Sequence, residues 1–159
     1  MALRVGIGYD IHRAKKGRPL VLGGVTFESK WGLEGHSDAD VLCHAIGDAL
    51  LGALGLGDLG THFPPDDPQW KGASSLDLLR VIRALLRDQG ASVVNVDATV
   101  VAEEPKLAPE REKMRENIAQ SLWMEAASVS IKATTSEKLD AVGEGKGVAA
   151  WAVAMVETA

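Results

Sequence analysis

The sequence has few aromatic residues and almost no cysteine. Phe, Tyr and Trp make up 4% of its 159 residues, and Cys43 is the only thiol. A lone cysteine excludes an intrachain disulfide and suits a reducing compartment. No apolar run reaches the roughly 18 residues expected of a membrane-spanning helix. There is no basic excess either: 17 Lys and Arg stand against 22 Asp and Glu, a net charge of −5. No overall positive field draws the chain to nucleic acid or to an acidic membrane surface. An anionic ligand would have to be met by local cations or by bound metal. The opening Met1-Ala-Leu-Arg-Val5 reads as the start of a strand rather than as a signal or transit peptide.

What is present is an ordinary balance of 46% hydrophobic and 25% charged residues over a length that suits one domain, residues 1–159. Leu3, Val5 and Ile7 alternate with Arg4, Gly6 and Gly8, which predicts a half-buried strand continuing towards Asp10 and His12. Residues 20–27 read as a short interrupted strand or hairpin arm. Ser37 or Asp38 is placed to cap a helix running to about Leu56, with Val41, Leu42, Ala45, Ile46, Ala49, Leu50, Ala53 and Leu54 as its apolar stripe. Residues 57–73, rich in Gly, Pro and Asp, predict a loop. A second helix is expected over 75–89, ended by Gly90. A strand is expected over 93–102, with Val94, Val96, Ala98 and Val100 facing one way. Pro109 suits the first turn of a third helix with Met114, Ile118 and Leu122 inward. Val129 and Ile131 mark another strand, and a Gly-rich loop leads to an apolar last strand over 148–156. This order predicts an α/β fold, an α+β sandwich with helices on one face of a mixed β-sheet.

Three groups of residues carry possible chemistry. Asp10 and His12 are two apart on an extended chain and point to one side, which Gly6 and Gly8 leave open. His44 on the first helix is placed to supply a third ligand. Two imidazoles and one carboxylate suit zinc with a free fourth position. A two-histidine, one-carboxylate iron site uses the same residue types. Asp40 and Asp48 lie one turn either side of His44, where either is placed to orient it. Spacing alone equally allows a polar helix edge beside a turn.

The second group is Gly35-His36-Ser37-Asp38 at a helix N-terminus, where free N–H groups favour phosphate. With it go Asp58-Leu59-Gly60 and Phe63-Pro64-Pro65-Asp66-Asp67, whose carboxylates suit polyol hydroxyls or hard cations and equally suit plain turn chemistry. His62 has no evident partner. The third group follows two strands: Ala102-Glu103-Glu104-Pro105-Lys106-Leu107-Ala108, and Thr134-Thr135-Ser136-Glu137. Main-chain groups released from the ladder could read a planar base, Lys106 a phosphate, and Glu137 a hard cation.

Taken together, Gly8-Tyr-Asp-Ile-His12, Gly35-His-Ser-Asp-Ala-Asp40, Asp48-Ala-Leu-Leu-Gly-Ala53, Gly57-Asp-Leu-Gly60, Phe63-Pro-Pro-Asp-Asp67 and Lys132-Ala-Thr-Thr-Ser-Glu-Lys-Leu139 resemble the cyclodiphosphate synthase family in order and spacing, as do Asn95-Val-Asp97 and Pro105-Lys106. The resemblance spans essentially the whole chain. It implies a cytoplasmic, bacterial enzyme of isoprenoid-precursor synthesis: a homotrimer around a β-lined core, with active sites between adjacent subunits. It implies that Asp10, His12 and His44 bind zinc and that Glu137 holds Mg2+ or Mn2+. His36 and Thr135 match positions that steady the transition state, with Ser37 beside them. Asp58 to Gly60 and Phe63 to Asp67 match positions that hold the methylerythritol part of the substrate. Ala102 to Ala108 match the cytidine pocket, with Lys106 beside the phosphates, and Thr134 to Glu137 complete the nucleotide pocket.

One stretch departs from the family. A common Phe-Thr-Gly-Arg-Gly-Glu-Gly is here Ala141-Val-Gly-Glu-Gly-Lys-Gly147. The aromatic residue is gone and the acid and base have changed places, so an ion pair of reversed polarity is expected between Glu144 and Lys146.

Overall fold

The structure, a computed structural model, describes residues 1–159. β1 (Ala2–Lys16) continues through Asp10 and His12 as expected. Its faces are the reverse of the simple reading. Gly6 and Gly8 are buried, whereas Leu3, Val5 and Ile7 are 62, 59 and 66% exposed. Where a short interrupted strand or one hairpin arm was expected, β2 (Leu20–Leu22) and β3 (Val25–Phe27) form a complete small hairpin, and β4 (Trp31–Leu33) pairs with the end of β1.

α1 (Val41–Ala53) is buried nearly all round, because it lies between the sheet and α3 (Ser75–Asp88). Its N-cap is Asp40, whose carboxylate accepts from Cys43 N and also from Gly23 N and Gly24 N. This corrects the expected cap at Ser37 or Asp38. It also removes Asp40 from the candidates for orienting His44, since those three N–H groups occupy it. Asp38 caps a different helix: its carboxylate accepts from Ser75 N at the start of α3. α1 ends at Ala53, three residues earlier than expected, where Arg4 Nε donates to the Ala53 carbonyl. A cation there suits a helix C-terminus.

The 57–73 segment holds two short pieces that its Gly and Pro content concealed. These are α2 (Leu59–His62), capped by Asp58, and a 3-10 turn (Pro68–Trp70) capped by Asp67. β5 (Ala91–Val101) carries a bulge between Val93 and Asn95. The extra residue shifts the alternation, so Val94 faces out while Val96, Ala98 and Val100 are buried. Pro109 lies in a 3-10 turn just before α4 (Arg111–Leu122), whose Met114, Ile118 and Leu122 are buried as expected. β6 (Val129–Thr134), the short α5 (Asp140–Gly143) and β7 (Gly147–Thr158) complete the chain.

The main sheet has the order β4-β1-β7-β5-β6, with β5 and β6 parallel and the other neighbours antiparallel. It is the expected mixed sheet, with α1, α3 and α4 on one face. On β7, Val148, Ala150, Ala152, Ala154 and Val156 are buried beneath those helices. Trp151 and Val153 are exposed on the opposite face, and Tyr9 rests against Trp151 with ring centroids 4.5 Å apart. One face of the sheet is therefore apolar and uncovered in a single chain.

Candidate functional site

Two glycines set the site's geometry. A Cβ on Gly8 would lie 1.8 Å from the Ala45 carbonyl oxygen, and one on Gly6 would lie 1.9 Å from that of Ala49. Their role is thus not to leave the strand's side open but to let α1 lie directly on β1. That close approach brings His44, next to Ala45, onto Asp10 and His12.

The three side chains converge. His12 Nε2 is 2.8 Å and His44 Nδ1 is 3.0 Å from Asp10 Oδ2, and the two nitrogens are 3.1 Å apart. The far nitrogen of each ring is held. His12 Nδ1 donates to the Glu34 carbonyl at 2.6 Å. His44 Nε2 lies 3.1 Å from Ser37 Oγ and 2.9 Å from Ser75 Oγ. Ser75 spends its own hydroxyl proton on Asp38 Oδ1 at 2.5 Å, so His44 Nε2 is the donor in that contact. The network therefore assigns lone pairs to His12 Nε2 and His44 Nδ1, both aimed at Asp10. Three acceptors this close need a cation among them. Ligands about 2.0 to 2.1 Å from a tetrahedral zinc would lie about 3.3 Å apart, close to the spacing seen. The donor set fits a divalent metal ion, with Asp10, His12 and His44 as ligands.

Without metal, protons serve. Burial opposes the charge on Asp10, but hydrogen bonds and charge from His12 and His44 outweigh it and hold the carboxyl at about 2. Burial likewise opposes the charge on His12, and Asp10 with the Glu34 carbonyl outweighs it, holding the imidazole above its ordinary value. Cys43, beside His44 in sequence, is fully buried, and burial with the Asp40 carboxylate keeps its thiol well above the ordinary range. It packs as a small apolar residue, as its position on the helix suggests.

The triad opens into a cavity of about 370 Å3. His36, Ser37, Asp58, Leu59, Gly60, Phe63 and Pro65 line it, as the sequence led us to expect. Asp48, Trp70 and Leu78 line it too, and were not foreseen there. Asp48 does not orient His44; it accepts from Leu59 N at 2.8 Å and fixes the start of α2. Pro64, Asp66 and Asp67 fall outside the cavity lining. Asp67 acts through its backbone, its carbonyl accepting from His36 Nε2 at 3.0 Å, while its side chain caps the 3-10 turn. His62 does have a partner, the Leu56 carbonyl at 2.8 Å. Arg18 was missed entirely. Its guanidinium donates to the carbonyls of Gly35 and Ser37, both at 3.1 Å, and so grips the backbone on either side of His36.

The third group lies elsewhere. None of Ala102, Glu103, Glu104, Pro105, Lys106, Leu107, Ala108, Thr134, Thr135, Ser136 or Glu137 lines this cavity. Ala102 is not released from the ladder, since its N–H still donates to the Thr134 carbonyl. Glu103 accepts from Ser136 N and Lys138 N at 3.0 and 3.2 Å, tying the two segments together. Glu137 and Lys138 have φ of 52° and 59° in the left-handed region, and Thr135 Oγ1 accepts from Glu137 N. Lys106 and Glu137 are exposed. Strand register gives the separation: Asp10 pairs with Ala150, Ala150 with Val100, and Val100 with Ala133. Ala133 is thus three strands from Asp10, about 14 Å across the sheet. Glu144 and Lys146 form the expected ion pair. No helix is long and apolar enough to cross a membrane.

Comparison with known proteins gives the family. The YgbB family model matches residues 3–157. The 2-C-methyl-D-erythritol 2,4-cyclodiphosphate synthase of Symbiobacterium thermophilum is 60% identical over 152 residues, covering 96% of this chain and 97% of its own. That of Synechococcus elongatus is 57% identical over 153 residues, covering 96% of each. Among solved structures, the bifunctional IspDF of Campylobacter jejuni superposes with a TM-score of 0.95 at 38% identity; the match covers 99% of this chain and 43% of that longer one. The CDP complex of Plasmodium falciparum IspF gives 0.86 at 35% identity, covering 99% and 97%. The chain belongs to the YgbB family, the family of the 2-C-methyl-D-erythritol 2,4-cyclodiphosphate synthases.

Proposed function

We propose that this protein converts 4-diphosphocytidyl-2-C-methyl-D-erythritol 2-phosphate to 2-C-methyl-D-erythritol 2,4-cyclodiphosphate with release of CMP, in the bacterial cytoplasm, as a homotrimer with its sites between adjacent chains. One observation carries the reading. A metal-ligating triad opens into a cavity walled by polyol-suited residues, and the residues suited to a nucleotide stand three strands away. The relatives seen with CDP support the cytidine part. The uncovered apolar face of β1 and β7 supports assembly, since a sheet face of this kind is normally covered.

In this reaction the 2-phosphate oxygen forms a bond to the β-phosphorus, and the bond from that phosphorus to the CMP oxygen breaks. Both groups belong to one molecule, so the protein supplies no nucleophile. Its task is to fold the substrate and cancel charge. Unit charges about 4 Å apart repel by roughly 4 kcal/mol at an effective dielectric of 20. When bound, zinc at Asp10, His12 and His44 and Mg2+ or Mn2+ at Glu137 supply Lewis-acid compensation for that repulsion. Asp58, the backbone of Leu59 and Gly60, and the Phe63–Asp67 wall hold the methylerythritol, Phe63 and Pro65 excluding water from one side. The turn at His36, fixed by the His36 Nε2–H bond to the Asp67 carbonyl and gripped by Arg18, and the Thr135 hydroxyl steady the charge that shifts. Ser37 binds phosphate at the same turn. Ala102 to Ala108 hold the cytidine, with Lys106 on its phosphates.

Phosphorus NMR of the protein with this substrate, zinc and Mg2+ tests the reading. A cyclic diphosphate and CMP are expected. Acyclic products would make the protein a hydrolase, and no turnover would leave it a binding protein.

A further inference from the structure

The reaction above uses neither carboxylate of the motif Gly35-His-Ser-Asp-Ala-Asp40; Asp40 caps α1, which leaves Asp38. Asp38 reaches away from α1 to the first residue of α3. There it accepts from Ser75 N at 3.0 Å through Oδ2 and from Ser75 Oγ at 2.5 Å through Oδ1. Ser75 is fully buried, and its Oγ is 2.9 Å from His44 Nε2. A serine hydroxyl has one proton to give. Since that proton goes to Asp38, the oxygen faces His44 as an acceptor only, and Nε2 must bring the hydrogen.

We propose that Asp38 and Ser75 form a two-residue relay that holds His44 with its proton on Nε2 and its Nδ1 lone pair towards Asp10 and His12, and so act as positioning residues for metal binding. The inference rests on the metal reading of the triad. Hydrogen bonding from the far nitrogen of a ligand imidazole to a polarised oxygen fixes the ring's tautomer and orientation and raises its basicity. Here the polarised oxygen is Ser75 Oγ, and the negative charge that polarises it is Asp38. The Glu34 carbonyl does the same for His12 directly. Ser37 Oγ, at 3.1 Å from His44 Nε2, is a longer contact without a carboxylate behind it, and its oxygen already accepts from Ala39 N. The relay also ties the N-terminus of α3 to the triad, so the loop before α3 that walls the cavity is anchored at the metal ligand itself.

The bland alternative is that Asp38 merely caps α3. The two differ in what Ser75→Ala does. As a cap alone, its loss lowers stability and leaves zinc affinity unchanged. As a relay, its loss weakens zinc binding by roughly 10- to 100-fold. Competition of the full-length wild type and Ser75→Ala against a chromophoric chelator measures this, and imidazole 1H–15N spectra of the zinc-loaded proteins report the tautomer. In the wild type a slowly exchanging His44 Nε2–H is expected, and in Ser75→Ala that signal should broaden or exchange rapidly. Equal zinc affinity in both proteins would overturn the relay alone. A wild type that binds no zinc would overturn the metal reading and the relay with it. Should Ser75→Ala not fold, the wild-type spectrum still decides, because a His44 proton on Nδ1 with metal on Nε2 contradicts the relay.

Discussion

At the scale of single residues, the site depends on what is missing as much as on what is there. Gly8 has no Cβ, and any Cβ would strike the backbone of α1. Gly8→Ala should therefore lower stability by about 3 kcal/mol or more, since backbone, not a flexible side chain, must move. A shift in urea midpoint of that size, together with loss of zinc binding, is the expected result. The triad also predicts a pH dependence. Asp10 sits below its unfolded value, so its contribution to stability is present above about 4 and lost as pH falls towards about 2. His12 sits above its unfolded value of 6.5, so its contribution is present below 6.5 and lost as pH rises through the folded value. The metal-free protein should thus melt highest near pH 5 to 6. Zinc requires the imidazoles deprotonated, so its affinity should fall as pH drops below the raised value of His12. A metal-free melting temperature that kept rising between pH 6 and 8 would contradict this account of the triad.

At the scale of elements, the local signals were legible and the long-range ones were not. Asp10 and His12 stood out because a strand puts i and i+2 on one side, and His44 because it lies on the first helix off the apolar stripe, with Asp40 and Asp48 one turn either side. The two glycines were read correctly as sharing that side. The strand's apolar alternation, however, pointed to the wrong inner face, because a helix can press closer onto glycine than onto Leu or Ile. Ser75 and Arg18 left no trace in spacing. Their partners are 31 residues away at His44 and 17 and 19 away at Gly35 and Ser37, and only the fold joins them. The bulge in β5 was equally silent, since Val94 continued a perfect alternation. Arg18 carries its own prediction. Arg18→Ala frees the turn that carries His36 and Ser37 and should reduce turnover roughly 10- to 100-fold, as misplacement of about 1 Å can. Zinc content and circular dichroism should be unchanged. Full activity in that variant would show that segment 72–73, which bonds His36 O and Asp38 N from the other side, suffices alone.

At the scale of the whole molecule, the uncovered face of the sheet is the dominant fact. Leu3, Val5, Ile7, Tyr9, Ile11, Trp151 and Val153 leave a broad apolar surface on a single chain. Each aliphatic side chain there gains about 1.5 to 3 kcal/mol on full burial. A trimer stable at low protein concentration is expected by light scattering, and Ile7→Lys should dissociate it and abolish turnover together. The same scale holds the central claim: the metal triad of one copy and residues 102–108 and 134–137 of another make one site. Mixed assemblies of His12→Ala and Lys106→Ala chains, each nearly inactive alone, measure it directly. Some junctions then carry both lesions and others carry neither. Recovery of turnover in mixed trimers, verified by native mass spectrometry, is the predicted result. Mixed trimers with no recovered activity would contradict the claim and place each site within one chain.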